Sequence, residues 1–91
     1  MTPRAVEQVF LEPKGGGIEV LLVLEDEAGG RTREHLPLPL NDLKAAIRQV
    51  ARQLTYRGIK PARKVRLRVG RGDELRDDGE LLRLFLEELG R

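Results

Sequence analysis

The stretch IEVLLVLEDE at residues 18–27 decides the fold that we predict for this chain. Successive side chains of a strand point to opposite faces of a sheet. One face of this stretch is entirely apolar: Ile18, Val20, Leu22 and Leu24. The other face combines Leu21 and Val23 with two glutamates. A strand that is partly apolar on both faces is typical of the interior of a sheet, so we predict a central strand here.

Glycine-rich turns bound this strand on both sides. PKGGG at 13–17 precedes it and AGG at 28–30 follows it, and glycine adopts positive φ without strain. We therefore expect partner strands beyond the turns, at 5–12, where the alternation is imperfect, and at 31–40. Pro37 and Pro39 have no amide hydrogen for a ladder, so they mark the end of the second partner strand or an edge position.

The second half of the chain predicts two helices around a strand. NDLKAAIRQVARQLTYRG at 41–58 has a buried stripe at helical spacing, with Asn41 as N-cap and Gly58 after the C-terminus. KVRLRV at 64–69 alternates as a strand. A loop follows, and Asp77 with Glu80 has capping-box spacing that begins a helix over 78–90.

These elements predict a single α+β domain over residues 1–91 with the order β-β-β-α-β-α. Amphipathic helices must bury their apolar stripes against another layer. We therefore expect a two-layer sandwich, a mostly antiparallel four-stranded sheet with both helices on one face.

The composition argues against most catalytic chemistries. The 91 residues contain no cysteine and no serine, and His35 is the only histidine. A metal or cofactor site is not expected, since a histidine-based metal site needs further ligands. The remaining catalytic alternative is Mg²⁺ held by carboxylates alone, at Asp73, Asp77 and Asp78. We expect a protein that is not an enzyme.

Two further features of the composition concern location and habitat. The N-terminus has no apolar signal core, and the apolar run VLLVL at 20–24 is too short to span a bilayer. We therefore expect a cytoplasmic protein without membrane contact. Many charged residues and few thermolabile ones give a thermophile-like profile.

Charge is distributed very unevenly along the chain. Residues 43–72 contain ten basic side chains and no acidic one. Residues 1–42 contain four basic and eight acidic side chains, and residues 73–91 contain three and seven. The net charge of +2 therefore conceals a strongly basic middle third between acidic flanks.

This segregation allows two arrangements, of which the favoured one is structural. Strand 64–69 can lie among strands that carry glutamates and form cross-strand ion pairs with them: Glu7, Glu12, Glu19, Glu25 and Glu34. Alternatively, a basic helix stripe joins the basic strand in one patch that binds RNA or DNA through phosphate contacts. The residues of that candidate anion site are Lys44, Arg48, Arg52, Tyr56, Arg66 and Arg68.

The last helix carries more leucine than one sheet surface can cover. Its apolar arc runs from Leu81 to Leu89, and Leu84 widens it to roughly 200° at 100° per residue. We take Leu84 and Phe85 as candidate residues of an oligomer interface. The sequence thus predicts a non-enzymatic interaction or dimerisation module, a homodimer or a partner of another protein, with a nucleic-acid-binding accessory protein as the alternative.

Overall fold

Five strands and two α-helices make up the computed structural model, which describes residues 2–90. They follow in the order β1 (Pro3–Lys14), β2 (Gly17–Asp26), β3 (Arg31–Leu38), α1 (Leu43–Tyr56), β4 (Lys60–Val69), β5 (Arg76–Asp77) and α2 (Gly79–Leu89). A single 3₁₀ turn, Gly72–Glu74, lies between β4 and β5. The predicted α+β class is confirmed.

The strands form one mixed sheet in the order β3-β2-β1-β4-β5. The two hairpins β1–β2 and β2–β3 are antiparallel, whereas β4 pairs in parallel with β1. The parallel pair follows from the connection. Helix α1 returns the chain to the end of the sheet at which β1 and β3 begin, so β4 runs in their direction. The prediction of four strands was wrong in the strand count, whereas the sheet is mostly antiparallel, with three antiparallel pairs and the one parallel pair β1–β4.

Both helices pack on the same face of the sheet, as predicted. Helix α1 contributes Ala46, Ile47, Val50, Ala51 and Leu54, and α2 contributes Leu81, Phe85 and Leu89. They meet the inward side chains of the three long central strands, among them Val9, Leu11, Val20, Leu22 and Leu67. Burying a side chain such as Phe85 contributes about 1.5–3 kcal/mol to the stability of the fold. This apolar core therefore holds the helix layer and the sheet together.

A bulge in β1 explains why the alternation of residues 5–12 is imperfect. The register shifts between Val6 and Gln8, so that Glu7 and Gln8 lie opposite Val23 alone. A bulge of this kind places one extra residue in one strand. Val6 and Val9 are therefore both buried although they are three residues apart.

The N-cap of each helix lies one residue later than predicted. Asp42, not Asn41, caps α1, with its carboxylate accepting from the Lys44 amide at 3.0 Å. Asp78 caps α2 and accepts from the Leu81 amide at 3.0 Å. Asp77 is unavailable as a cap because it is paired in β5 with Arg68.

The β2–β3 turn is organised by a buried carboxylate. Asp26 is 8% exposed, and its Oδ1 accepts hydrogen bonds from the amides of Ala28 at 2.8 Å and Gly30 at 2.9 Å. Gly29 has φ +86°, the left-handed conformation that a side chain would disfavour. The carboxylate therefore satisfies two turn amides that no strand partner reaches.

We predict that Asp26→Ala lowers the free energy of unfolding by about 1–3 kcal/mol, because two partly buried donors lose their acceptor. Asp26→Asn keeps an acceptor oxygen and should retain most of the stability. Glu27→Ala, an exposed change in the same turn, is the control. Urea unfolding checks all three, and equal midpoints for the Ala variants at 26 and 27 would contradict the assignment.

A bidentate ion pair ties the end of α1 to the edge strand. The Arg57 guanidinium donates to both carboxylate oxygens of Glu34, at 2.7 and 2.8 Å. The hydrogen bonds from Arg57 lower the pKa of Glu34 below its ordinary value of 4.5. The charged form of Glu34 is thus favoured in the folded state.

This pair should make stability depend on acid pH. Because the folded-state pKa lies below the unfolded one, the contribution is present above about pH 4.5 and is lost as pH falls through the folded value. Both side chains are about two-fifths exposed, so solvent screening limits the effect to under about 1 kcal/mol. Glu34→Gln should have a lower free energy of unfolding than wild type at pH 7, and this free energy should fall less than that of wild type between pH 7 and pH 3. Urea unfolding at the two pH values measures both effects. If the difference in free energy of unfolding between wild type and Glu34→Gln is the same at pH 7 and at pH 3, this role is refuted.

Candidate binding surface

The sheet face opposite the helices is not covered by any element of residues 2–90. We call this surface the open face and define it by the outward side chains of the four long strands: Gln8, Phe10, Glu12, Glu19, Leu21, Val23, Glu25, Arg31, Arg33, His35, Pro37, Arg66 and Arg68. These positions alternate with core residues along each strand, which places them on the side away from α1 and α2.

The register aligns the open face into two rows that cross four strands. The first row, from β3 to β4, is Arg33, Val23, Gln8 and Arg66, and the second is His35, Leu21, Phe10 and Arg68. The centre of the face is therefore apolar, with Phe10, Leu21 and Val23. Arginines lie on both borders of this centre. Such an arrangement offers apolar contact in the middle and positive charge on either side.

The β4 border keeps an excess of positive charge. Among residues 2–90, one carboxylate is within ion-pair distance of its two arginines: Asp77 Oδ1 lies 3.2 Å from Arg66 Nε and 3.6 Å from Arg68 Nε. The hydrogen bond from Arg66 is the largest cause that lowers the pKa of Asp77, and the charge of Arg68 adds to it. One negative charge opposes two positive ones, so this border stays cationic.

A shallow cavity of about 270 Å³ lies at the end of the second row. Phe10, Leu21, His35 and Leu75 contribute to its walls. Leu75 reaches this position because the chain turns back after β4 at Gly70, which has φ +139° and donates its amide to the Leu11 carbonyl at 3.0 Å. A Cβ at Gly70 would collide with the backbone of Glu74. The loop thus forms one rim of the apolar centre.

The far rim of the cavity is acidic but partly neutralised. Glu12 and Glu19 face each other across β1 and β2. Lys14 bridges them, with its Nζ 3.2 Å from Glu12 and 2.9 Å from Glu19. The hydrogen bond from Lys14 lowers the pKa of Glu19. With two carboxylates and one ammonium group, this rim keeps a net negative charge, whereas the arginines of the two rows lie at the other borders of the face.

The predicted anion-site residues do not form one surface. Lys44, Arg48 and Arg52 are exposed on α1, in the helix layer, whereas Arg66 and Arg68 project from the other side of the sheet. Arg48 approaches Glu88 of α2 at 3.9 Å. Tyr56 is 95% exposed at the end of α1, and it too belongs to the helix layer. The structure brings Arg66 and Arg68 together with Arg33, Phe10 and His35 instead.

The expected cross-strand pairs between β4 arginines and glutamates are also not formed. Arg66 lies opposite Gln8 and Arg68 opposite Phe10 in the β1–β4 register. Four of the five glutamates have other partners. Glu7 binds Arg31 at 2.9 Å, Glu12 and Glu19 bind Lys14, and Glu34 binds Arg57. The physical reason is the parallel pairing with β1, which sets an uncharged row beside the basic strand.

The candidate interface residues of α2 have different surroundings from those expected. Phe85 is fully buried in the core, so it offers no surface to a partner, and Leu84 is half-buried against the core. Leu86 is 38% exposed and lies beside the half-buried Leu82. The surplus leucine of this helix is therefore Leu86.

Sequence reasoning missed Phe10, Arg33 and His35 as members of one surface. A signal for the open face was present, since Leu21 and Val23 alternate with the core residues of β2. The bulge hid the equivalent pattern in β1. The rows themselves depend on strand order and register, which no local pattern contains.

Two observations of residues 2–90 bear on other functional classes. No helix in this part of the chain is long and apolar enough to cross a bilayer. Within the same residues, no three His, Asp or Glu side chains are grouped closely enough to hold a metal ion. Comparison of the chain with protein-family models, with curated proteins and with solved structures finds no match.

Proposed function

We propose that this protein is a non-enzymatic interaction module that binds an anionic partner on the open face of its sheet. The observation that carries the proposal is the pattern of the two rows. An apolar centre of Phe10, Leu21 and Val23 is bordered by Arg33 on β3 and by Arg66 and Arg68 on β4.

The apolar centre supports binding by contact. Phe10 and Leu21 are half-buried on a face that no described element covers. Val23 beside them is only 8% exposed, so Phe10 and Leu21 supply the accessible apolar surface. A contiguous apolar area with a polar rim is typical of an interaction site.

The charge pattern supports an anionic partner over a second copy of this chain. Two copies could pack open face to open face about a two-fold axis. If the axis runs along the strands, Arg33 of one copy lies over Arg66 of the other. If the axis runs across the strands, Arg66 of one copy lies over Arg68 of the other. Either arrangement opposes like charges. An anionic partner meets attraction at both borders.

The edge strand is also poorly suited to self-association. β3 carries Arg31, Arg33 and Pro37, and charged side chains and proline are features that protect sheet edges from pairing. A homodimer stays a prediction, and the exposed part of α2 around Leu86 is its better candidate contact.

The side chains of the open face favour binding over catalysis. Its one histidine, His35, lies across β2 from Phe10 with the aliphatic Leu21 between them. A general base needs a positioned polar partner in a cleft. Glu19 lines the same cavity as His35, but its carboxylate is paired with Lys14 at 2.9 Å. The chain also has no cysteine or serine nucleophile.

We predict that the double variant Arg33→Gln/Arg66→Gln elutes from a heparin column at clearly lower salt than wild type. Heparin serves as a polyanion probe, and each lost contact reduces the number of counterions released. The matched control is Lys44→Gln/Arg52→Gln, which removes the same charge from the helix layer. Its elution should shift less.

Equal shifts for the two double variants would mean that net charge alone determines retention, and the open face would lose its role. Circular dichroism and thermal unfolding of both variants verify that the fold is retained. Light scattering on wild type over a range of concentrations reports self-association separately.

A further inference from the structure

We propose that the anionic partner is a single-stranded nucleic acid that lies across the strands, with unstacked bases on the second row and phosphates at the arginine borders. This inference rests on the proposed function, since it names the ligand of the same open face. It shares Arg66 and Arg68 with the helix-plus-strand patch that the sequence predicted, but it combines them with Phe10 and His35 and not with the side chains of α1.

Three planar groups in one row support base stacking. His35, Phe10 and Arg68 lie in register across β3, β1 and β4, with Leu21 of β2 between the first two. Aromatic rings and guanidinium planes both stack on nucleobases. The cavity beside Phe10 has a volume of about 270 Å³ and is lined in part by Leu75 and Leu21. We propose that a base occupies this cavity against the Phe10 ring.

The spacing of the borders fits a short stretch of one strand. Arg33 and Arg66 are separated by three strand spacings, roughly 14 Å between backbones at about 4.7–4.9 Å per spacing. A sheet of this width accommodates about two or three stacked bases. Phosphates that flank those bases then reach Arg33 on one side and Arg66 or Arg68 on the other.

The recessed position of Phe10 favours a single strand over a duplex. In a duplex the flat faces of the bases are covered by their neighbours, so a half-buried ring on a sheet cannot reach them. A single strand can rotate its bases outward onto such a ring. Duplex binding would engage the arginines alone and leave the apolar centre without a partner.

The acidic rim favours nucleic acid over an acidic peptide. Glu12 and Glu19 lie at the edge of the cavity that contains Phe10, and Lys14 supplies one positive charge to these two carboxylates. An acidic side chain in the cavity would be repelled there. A base carries no charge, and its exocyclic amino group can donate to a carboxylate.

The test measures binding of a short fluorescently labelled single-stranded oligonucleotide by anisotropy, with Phe10→Leu against wild type. Leucine keeps an apolar side chain but removes the stacking ring, so we expect binding to weaken roughly 5- to 150-fold. Tyr56→Leu, which removes the fully exposed aromatic ring of the helix layer, is the matched control and should leave the affinity unchanged.

A second measurement keeps the inference testable if Phe10→Leu does not fold. Arg33→Gln and Arg66→Gln are exposed substitutions, and each should reduce the slope of log K against log salt by about 0.7, the value for one single-strand phosphate contact. Slopes equal to that of wild type in both variants would contradict phosphate contacts at the borders.

The remaining outcomes separate this inference from the proposed function. Duplex DNA that binds as tightly as the single strand overturns the assignment of a single strand. Polyglutamate that binds in an Arg33-dependent way, with no binding of the oligonucleotide, overturns nucleic acid but retains an anion-binding open face. Heparin retention that does not depend on Arg33 and Arg66 removes both proposals.

Discussion

One apolar layer between two helices and one sheet face holds this fold together. Phe85 of α2 and the Ile47–Leu54 stripe of α1 pack on the inward side chains of β1, β2 and β4. Because both helices are used on the same side, the opposite face has no cover within residues 2–90. The candidate binding surface is thus a direct consequence of how the core is built.

Strand pairing turns that uncovered face into a patterned surface. The bulge at Glu7 and Gln8 adds one residue to β1 and so changes which residues of this strand point outward. As a result, Phe10 lies beside Leu21 on the open face and not on the core side. The parallel pairing of β4 then places Arg68 next to Phe10. A shift of β4 by one residue would move its arginines to the core side and its apolar residues outward. The buried Leu67 therefore fixes the outward positions of Arg66 and Arg68.

The basic middle third of the chain is divided by the sheet. Lys44 and Arg52 lie on the helix layer, Arg57 is engaged by Glu34, and Arg66 and Arg68 emerge on the open face. Contiguity along the sequence is thus not contiguity in space. Part of the charge serves to join α1 to β3, and part of it forms one border of the open face.

The sequence by itself determined the α+β class, the central position of β2, the two helices and the glycine turns. These depend on local periodicity and on the conformations of glycine and proline, which are properties of neighbouring residues. Only the tertiary structure decided the parallel β1–β4 pair, the short strand β5 and the rows that join Arg33, Phe10 and Arg68. Those features depend on which strands become neighbours. The strand order is set by how well the helices and the sheet bury their apolar side chains against each other, and residues along the whole chain contribute to that burial.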